Sequence, residues 1–392
     1  MQNQSCCSGE STTKQDAAGC CGNSSQSCCG DAVPDSGHEQ ASCGCGCSDA
    51  KPKKWIVSYV PTPVGEVPQV STQLSFFDKW GFWKCRWSIG RMRYTIDPGL
   101  YCVGNPDANS PVLVTANYKM TFDRLRMELS GLDAWIVVLN TYGINVWCAA
   151  GKGTFGTEEL VNRLQEVRLS DVVSHRTVIL PQLGAVGVAA HEVQKQSGFR
   201  VVYGPIRACD VKEFLSSGMT ATEEMRTVKF TIWDRLVLTP VEIISAIRPM
   251  VVVFGALFFL NAIGLGHYGI VDFYALLGAV FTGAFLTPVL LPWIPGRAFS
   301  FKGFLLGLLW AIGVNLINGF PMPGYGWLKA ITYILVLPSL SAYFSMNFTG
   351  SSTYTSLSGV DKEMRIGLPV MIIAAAAGII LTLVNDFIRV FG

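Results

Sequence analysis

Trp135-Ile136-Val137-Val138-Leu139 is a short β-branched run. The chain leaves it through Gly143-Ile144-Asn145-Val146-Trp147-Cys148-Ala149-Ala150-Gly151-Lys152-Gly153-Thr154-Phe155-Gly156-Thr157 and enters a segment with Leu160, Leu164 and Val167 at helical spacing. A strand-length apolar run, a Gly-rich turn and a helical stretch are the parts of an α/β unit with a largely parallel sheet. Thr157, followed by Glu158 and Glu159, predicts a capped helix start whose acidic first turn complements the helix dipole. Three further runs, Val112 to Ala116, Thr177 to Leu180 and Arg200 to Tyr203, are each followed by a turn and an amphipathic or small-residue segment. Four strands are thus readable, and an α/β domain is expected over residues 51–240.

Downstream the composition changes. Between Pro249 and Phe348 almost every Lys, Arg, Asp and Glu disappears, and mean hydropathy over the chain is +0.36. Five apolar stretches follow: Met250 to Tyr268, Val271 to Ile294, Phe301 to Phe320, Leu328 to Phe348 and Ile366 to Ile388. Each is near or above the about 20 residues that cross hydrocarbon, so residues 241–392 are expected to form an all-α domain of five transmembrane helices. Pro249 is expected in the first turn of the first helix. Arg248, Arg297, Lys302, Lys362 and Arg365 flank one side and Lys329 and Arg389 the other. The positive-inside rule then predicts a multi-pass protein of the inner, cytoplasmic membrane, with the α/β domain in the cytoplasm and the carboxyl terminus outside. Asn261, Asn315, Asn318, Thr282 and Thr287 suit hydrogen bonds between helices, and the lack of mid-span Lys, Arg or Glu favours an anchor over a transporter. Pro338 predicts a kink.

Upstream, nine of the thirteen cysteines lie in the first 47 residues, among Ser, Gly, Gln and Asp. Such a segment cannot bury enough apolar surface to offset the entropy of ordering, and residues 1–50 are expected to be a disordered cysteine-rich tail. No apolar signal segment precedes it, so its thiols are expected to stay reduced. Cys43, Cys45 and Cys47, with the pairs Cys6-Cys7, Cys20-Cys21 and Cys28-Cys29, are candidates for a soft metal or an incidental low-complexity run. The formal net charge of +2 gives no basic stripe, and nucleic acid is set aside as a partner.

The Gly-rich turn has two readings. Gly-Lys-Gly-Thr at 151–154 resembles a phosphate loop, but the glycine frame before Lys152 is absent and the Walker spacing fails. The other reading is a buried lone cysteine, Cys148, among the small residues Ala149, Ala150 and Gly151, which would let a broad flat ligand approach the backbone; a small core thiol is its bland counterpart. Elsewhere, His191-Glu192 begins a zinc-protease pattern that Lys195 breaks. Cys85 and Cys102 are candidates for a second thiol site, and Cys209 for a structural thiol.

The run 143–157, with Val112 to Asp123, Leu180 to Gln194 and Val201 to Arg207, resembles the corrinoid-binding domain of the corrinoid iron-sulfur proteins of acetyl-CoA synthesis, over roughly Pro111 to Gly218. The chain lacks that family's long barrel domain and its regular four-iron cysteine motif, and adds a membrane domain. Asn145-Val146-Trp147-Cys148-Ala149-Ala150-Gly151-Lys152 fused to five spans is similar to the membrane-bound corrinoid proteins of mercury methylation, the HgcA family. That resemblance implies a Rossmann-like corrinoid-binding domain with a mostly parallel sheet, a base-off cobalamin-type corrinoid, and a methyltransferase that passes a cobalt-bound methyl group to Hg(II) to form methylmercury.

By the same resemblance Cys148 is the lower axial cobalt ligand, and Asn145, Val146, Trp147, Ala149 and Gly151 form the cap around it. Thr115 and Thr121, on the loop after the strand Val112 to Ala116, and Ala208 contact the corrin. Lys152 meets a corrin side chain or the tail phosphate, or is solvated. An axial thiolate donates density toward the departing methyl, which suits an electrophilic acceptor. The implied partners are a ferredoxin-like reductant, HgcB, with two 4Fe-4S clusters, and a methyltetrahydrofolate-derived methyl donor, beside membrane lipid. Two other functions stay open: a membrane-attached methyl carrier of acetyl-CoA (Wood-Ljungdahl type) metabolism, and a non-catalytic cysteine-rich metal binder.

Overall fold

The computed structural model describes residues 53–264, 266–322, 326–352, 354 and 357–391. The expected tail, with Cys43, Cys45 and Cys47, lies outside the described residues.

Seven strands form one sheet in the order β1-β2-β3-β5-β4-β6-β7. β4 (Val112–Ala116), β5 (Ala134–Leu139), β6 (Thr177–Leu180) and β7 (Arg200–Tyr203) are mutually parallel, and they are the four strands readable in the sequence. β1 (Ile56–Thr62), β2 (Gly65–Val70) and β3 (Gly99–Val103) were not legible: β1 and β2 form an antiparallel hairpin, and β3 runs antiparallel to β5. β1 carries polar and exposed positions on both faces, so no two-residue alternation marks it. In β5, Trp135, Val137 and Leu139 pack into one core and Ala134, Ile136 and Val138 into the other. Burial on both faces is what makes such strands read as continuous apolar runs.

The helices of this region are α1 (Phe76–Arg86), α2 (Lys119–Glu128), α3 (Val146–Gly151), α4 (Thr157–Glu166), α5 (Leu169–Val172), α6 (Ala190–Ser197) and α7 (Val211–Ser216). The cap of α4 is Gly156, not Thr157; the Thr157 hydroxyl is occupied by Ala189 N–H at 2.9 Å, a long-range bond that spacing cannot show. Between α1 and α2 lies a buried ion network. Lys119 Nζ is 2.6 Å from both Asp78 and Asp123, and Arg126 reaches Asp123 at 2.7 Å and Asp78 at 3.0 Å. Arg126 also donates to the carbonyls of Ser71 and Gln73, so its buried charge is paired and hydrogen-bonded. Burial pushes the Asp78 carboxyl up, but hydrogen bonds from Lys119 and Ser75 outweigh it and hold the pKa at about 2.

Cys85 and Cys102 are both buried, in separate clusters, the first beside Tyr118 and Met120 and the second in the main sheet core. Their packing corrects the expectation of a second thiol site. His191 and Glu192 are neighbours on the surface of α6 and form no metal site. Among the described residues no group of three or more His, Cys, Asp or Glu side chains is placed to hold a metal ion.

The helical region consists of α8 (Ile232–Ala262), α9 (Ile270–Phe281), a π turn (Thr282–Leu286), α10 (Thr287–Leu290), α11 (Phe299–Ile317), α12 (Trp327–Asn347) and α13 (Leu357–Phe391). Among the described residues five helical segments are long and apolar enough to cross a membrane: 232–262, 270–290, 299–317, 327–351 and 358–388. The first begins well before residue 250, because Thr231 and Asp234 close a capping box there, and Pro240 and Pro249 lie inside the helix. Pro249 is therefore not a first-turn proline.

Lys302 lies in the first turn of α11, where it is buried and donates to the carbonyl of Leu291. Of the mid-span polar residues, Asn315 reaches another helix, at Ala330 O, while Thr282, Thr287 and Asn318 bond back within their own segment. Asn261 closes the loop after α8 through Tyr268. Small residues hold α11 to α12. A Cβ on Gly303 would lie 2.5 Å from the Ser345 side chain, and one on Gly307 2.6 Å from that of Ser341, a spacing of small residues that allows close backbone approach.

Candidate functional site

The parallel strands β5-β4-β6-β7 change connection direction beside β4, and ligands of open α/β sheets bind outside the carboxyl ends of strands at such a switch point. A cavity of about 360 Å³ lies there. Thr115 of β4, Leu180 at the end of β6 with Pro181 after it, and the turn Gly204-Pro205-Ile206 after β7 line it. The cap comes from the β5 side: Asn145, Val146 and Trp147 all line the cavity.

The path into that cap is fixed by a residue the sequence reading missed. Asn117, directly after β4, accepts hydrogen bonds from Thr141 N–H (3.1 Å), the Thr141 hydroxyl (2.9 Å) and Gly143 N–H (3.0 Å). Gly143 sits at φ +73°, and a Cβ there would lie 2.7 Å from the Thr95 side chain, so the turn needs glycine twice over. Asn145 then caps α3 by accepting from Cys148 N–H at 2.9 Å.

Cys148 is exposed, which corrects the expectation of a buried thiol and removes the core-thiol reading. The small residues beside it have a different use from the one expected. Ala149 and Ala150 face the core, and Ala150 abuts the backbone of Gly187 in the turn after β6, where a Cβ on Gly187 would come within 3.0 Å. They admit a neighbouring turn, not a ligand.

Six of the resemblance-derived positions converge on the cavity: Thr115, Thr121, Asn145, Val146, Trp147 and Ala208. Thr115 lies within β4 and Thr121 within α2, not on a loop. Cys148 adjoins the lining residue Trp147 on α3, while Gly151 and Lys152 are exposed at the far end of that short helix, outside the lining. Cys209 is also exposed, and burial with the neighbouring Asp210 pushes its thiol up, the wrong direction for a ready thiolate.

Lining residues not singled out in the sequence are Arg86, Arg91, Tyr118, Arg124 and Leu238. Arg86 and Arg91 come from the segment before β3, and Tyr118 and Arg124 from the start and middle of the stretch that leads into and forms α2. Leu238 belongs to α8, and the Arg207–Asp234 ion pair at 3.0 Å ties the turn after β7 to the start of that same helix. The site therefore abuts a candidate membrane span. The buried hydroxyl of Tyr118, in the lining, is paired with the Cys85 thiol, and the buried carbonyl oxygen of the Gln182 side chain has no hydrogen-bond partner among the described residues.

Comparison with known proteins meets this geometry. The family described as CO dehydrogenase/acetyl-CoA synthase delta subunit matches residues 88–215, the segment that carries the cavity's cap and strand ends. Over this segment the chain is similar to that family. The gamma subunit of the acetyl-CoA decarbonylase/synthase complex of Methanopyrus kandleri is 31% identical over 144 residues, 36% of this chain and 31% of that subunit. The same subunit of Methanocaldococcus jannaschii is 32% identical over 134 residues, covering 34% and 27% of the two chains. Gamma subunit 2 of Methanosarcina thermophila is 33% identical over 120 residues, covering 30% and 25%. The chain thus spans about a third or less of the length of the relatives it matches, and the family match at 88–215 ends before the five spans.

Proposed function

We propose that the α/β domain binds a corrinoid in the cavity at the β4/β6 edge and takes part in methyl transfer, with the helical region fixing it to a membrane. The observation that carries this is the convergence of Thr115, Thr121, Asn145 to Trp147 and Ala208 on one cavity, with an exposed cysteine on the capping helix.

The residues present suit the group. Tyr118 offers a hydroxyl, Arg86, Arg91 and Arg124 offer cations for an anionic tail, and the strand ends offer an apolar wall. When bound, a corrinoid supplies a cobalt centre that takes up a methyl group and releases it to an acceptor. The chain's own part is positional. Asn117 fixes the turn, Gly143 admits it and Asn145 caps α3, so that Cys148, next to the lining residue Trp147, is the residue that would hold the metal. Leu238 closes one side against the membrane region.

The relatives belong to acetyl-CoA decarbonylase/synthase complexes, which favours a membrane-attached methyl carrier of that chemistry as the first reading. The second reading takes Hg(II) as the acceptor and methylmercury as the product. It rests on the exposed Cys148 and on the fusion of the capped domain to five spans, in which the chain resembles the HgcA family. Under either reading a ferredoxin-like reductant with two 4Fe-4S clusters and a methyltetrahydrofolate-derived donor are the proposed partners, and the cytoplasmic side is the proposed location of the domain, a reading supported by the flanking cations.

The test is the ultraviolet-visible spectrum of the purified chain reconstituted with cobalamin, for wild type and Cys148→Ala, followed by an anaerobic methyl-transfer assay with and without Hg(II). Bound corrinoid whose axial-thiolate signature is lost in Cys148→Ala is expected. Failure of wild type to retain corrinoid refutes the assignment. Methylmercury formation that depends on Cys148 selects the second reading; methyl uptake that survives Cys148→Ala with no methylmercury selects the first.

A further inference from the structure

A second, larger cavity of about 780 Å³ lies within the helical region, between α8, α12 and α13 with α9 behind. Its walls are apolar, among them Leu257, Val336, Leu340, Ala375 and Ile379, and its charged groups gather at one end. Along α12 it runs from Lys329 to Tyr343, about 21 Å at the helical rise of about 1.5 Å per residue. That exceeds half of the about 30 Å hydrocarbon thickness, so the slot has the length of a lipid chain.

At the polar end most groups satisfy one another. Tyr333 donates to Asp272 at 2.6 Å, Lys329 lies 3.1 Å from the same carboxylate, and Gly269 N–H reaches its other oxygen at 2.7 Å. Asp386 differs. It is 5% exposed, its Oδ2 is buried without a hydrogen-bond partner among the described residues, and His267 approaches the other oxygen, Oδ1, at 3.7 Å. An unsatisfied carboxylate oxygen in an apolar slot is costly, and the group that removes the cost is a donor, above all a cation. A head that only accepts hydrogen bonds leaves Asp386 as it is.

We propose that this slot binds a primary-amine phospholipid, its ammonium at Asp386, its phosphate within reach of the donors Lys329 and His267, and one chain lying along α12. The lipid fills the space between α8 and α13, whose most apolar windows are each only 11% buried inside the protein. This assignment stands apart from the corrinoid reading and survives its failure.

The test uses the delipidated full chain in detergent, titrated with phosphatidylethanolamine, phosphatidylcholine or phosphatidylglycerol and read by native mass spectrometry. Phosphatidylethanolamine is expected to stay bound under activation that strips the other two, and Asp386→Asn is expected to weaken it at least tenfold, to the level of phosphatidylcholine, whose quaternary head has no N–H. Equal retention of the two lipids, or an unchanged preference in Asp386→Asn, overturns the proposal. Should that variant not fold, Ala375→Trp fills the apolar part of the slot and leaves the head cluster intact. Loss of the adduct with helix content preserved supports the site, and retention refutes it.

Discussion

Leu139 in β5 and Ile373 in α13 are both aliphatic residues inside regular elements, yet Leu139 is fully buried and Ile373 is 69% exposed. The first faces a core between sheet and helices; the second faces the space a bilayer fills. In water, burial of apolar area drives packing. Between helices in lipid that drive is absent, and close backbone approach takes its place, which is why Gly303 and Gly307 meet Ser345 and Ser341 where α11 crosses α12. The charged groups follow the same division. Around Asp78 and Asp123 the network is closed with short bonds on every side, whereas Asp386 keeps an oxygen without a partner at the edge of the spans.

The strongest break of this contrast is Arg126→Ala. It leaves Asp78 and Asp123 buried with one cation fewer, and the α/β domain is expected to lose about 3–5 kcal/mol in denaturant titrations followed by Trp fluorescence. Next, Leu139→Ala is expected to cost about 2–5 kcal/mol, while Ile373→Ala in detergent stays within about 0.5 kcal/mol. Equal costs for the pair would contradict the lipid-facing assignment of α13.

A third break is Gly307→Val, which forces α11 away from Ser341 and the backbone of Pro338. It is expected to cost about 1–3 kcal/mol and to lower the thermal midpoint of the helical region, with corrinoid binding unchanged. The smallest effect is on acid sensitivity. Asp78 has a folded pKa of about 2, below the ordinary aspartate value, so its contribution is fully present above about pH 4 and is lost as pH falls toward 2. Asp78→Asn is expected to flatten the stability profile in that interval, checked by circular dichroism from pH 5 to 2.

These contrasts also mark what was legible. β4 to β7 were readable because burial on both faces leaves continuous β-branched runs, and the spans because length and apolarity suffice to define them. β1 and β2 were not, since a polar hairpin at a sheet edge has no burial pattern to show. Thr115, Asn145 and Trp147 were reachable through resemblance. Arg86, Arg124 and Leu238 were not, because they arrive from α1, α2 and α8 and share the site only after folding.

Cys148 is the sharpest case. Its residue type and its small neighbours suggested burial, but Ala149 and Ala150 occupy the inward face of α3 and leave the cysteine outside. A six-residue helix is too short for its periodicity to be read, so its orientation depended on Asn117 and on the turn at Gly187.

Local composition and periodicity, the sequence by itself, determined an α/β domain with a parallel core, five apolar spans and a cysteine-bearing turn after a central strand. These follow from residue-by-residue preferences for water, hydrocarbon and extended backbone. The tertiary structure alone decided which face of α3 points outward, that a membrane helix closes the cavity, that Asp78 and Asp123 share two cations, and that Asp386 is left with an unpaired oxygen. Each of these depends on contacts between positions tens to hundreds of residues apart, and such contacts are set by packing the whole chain at once.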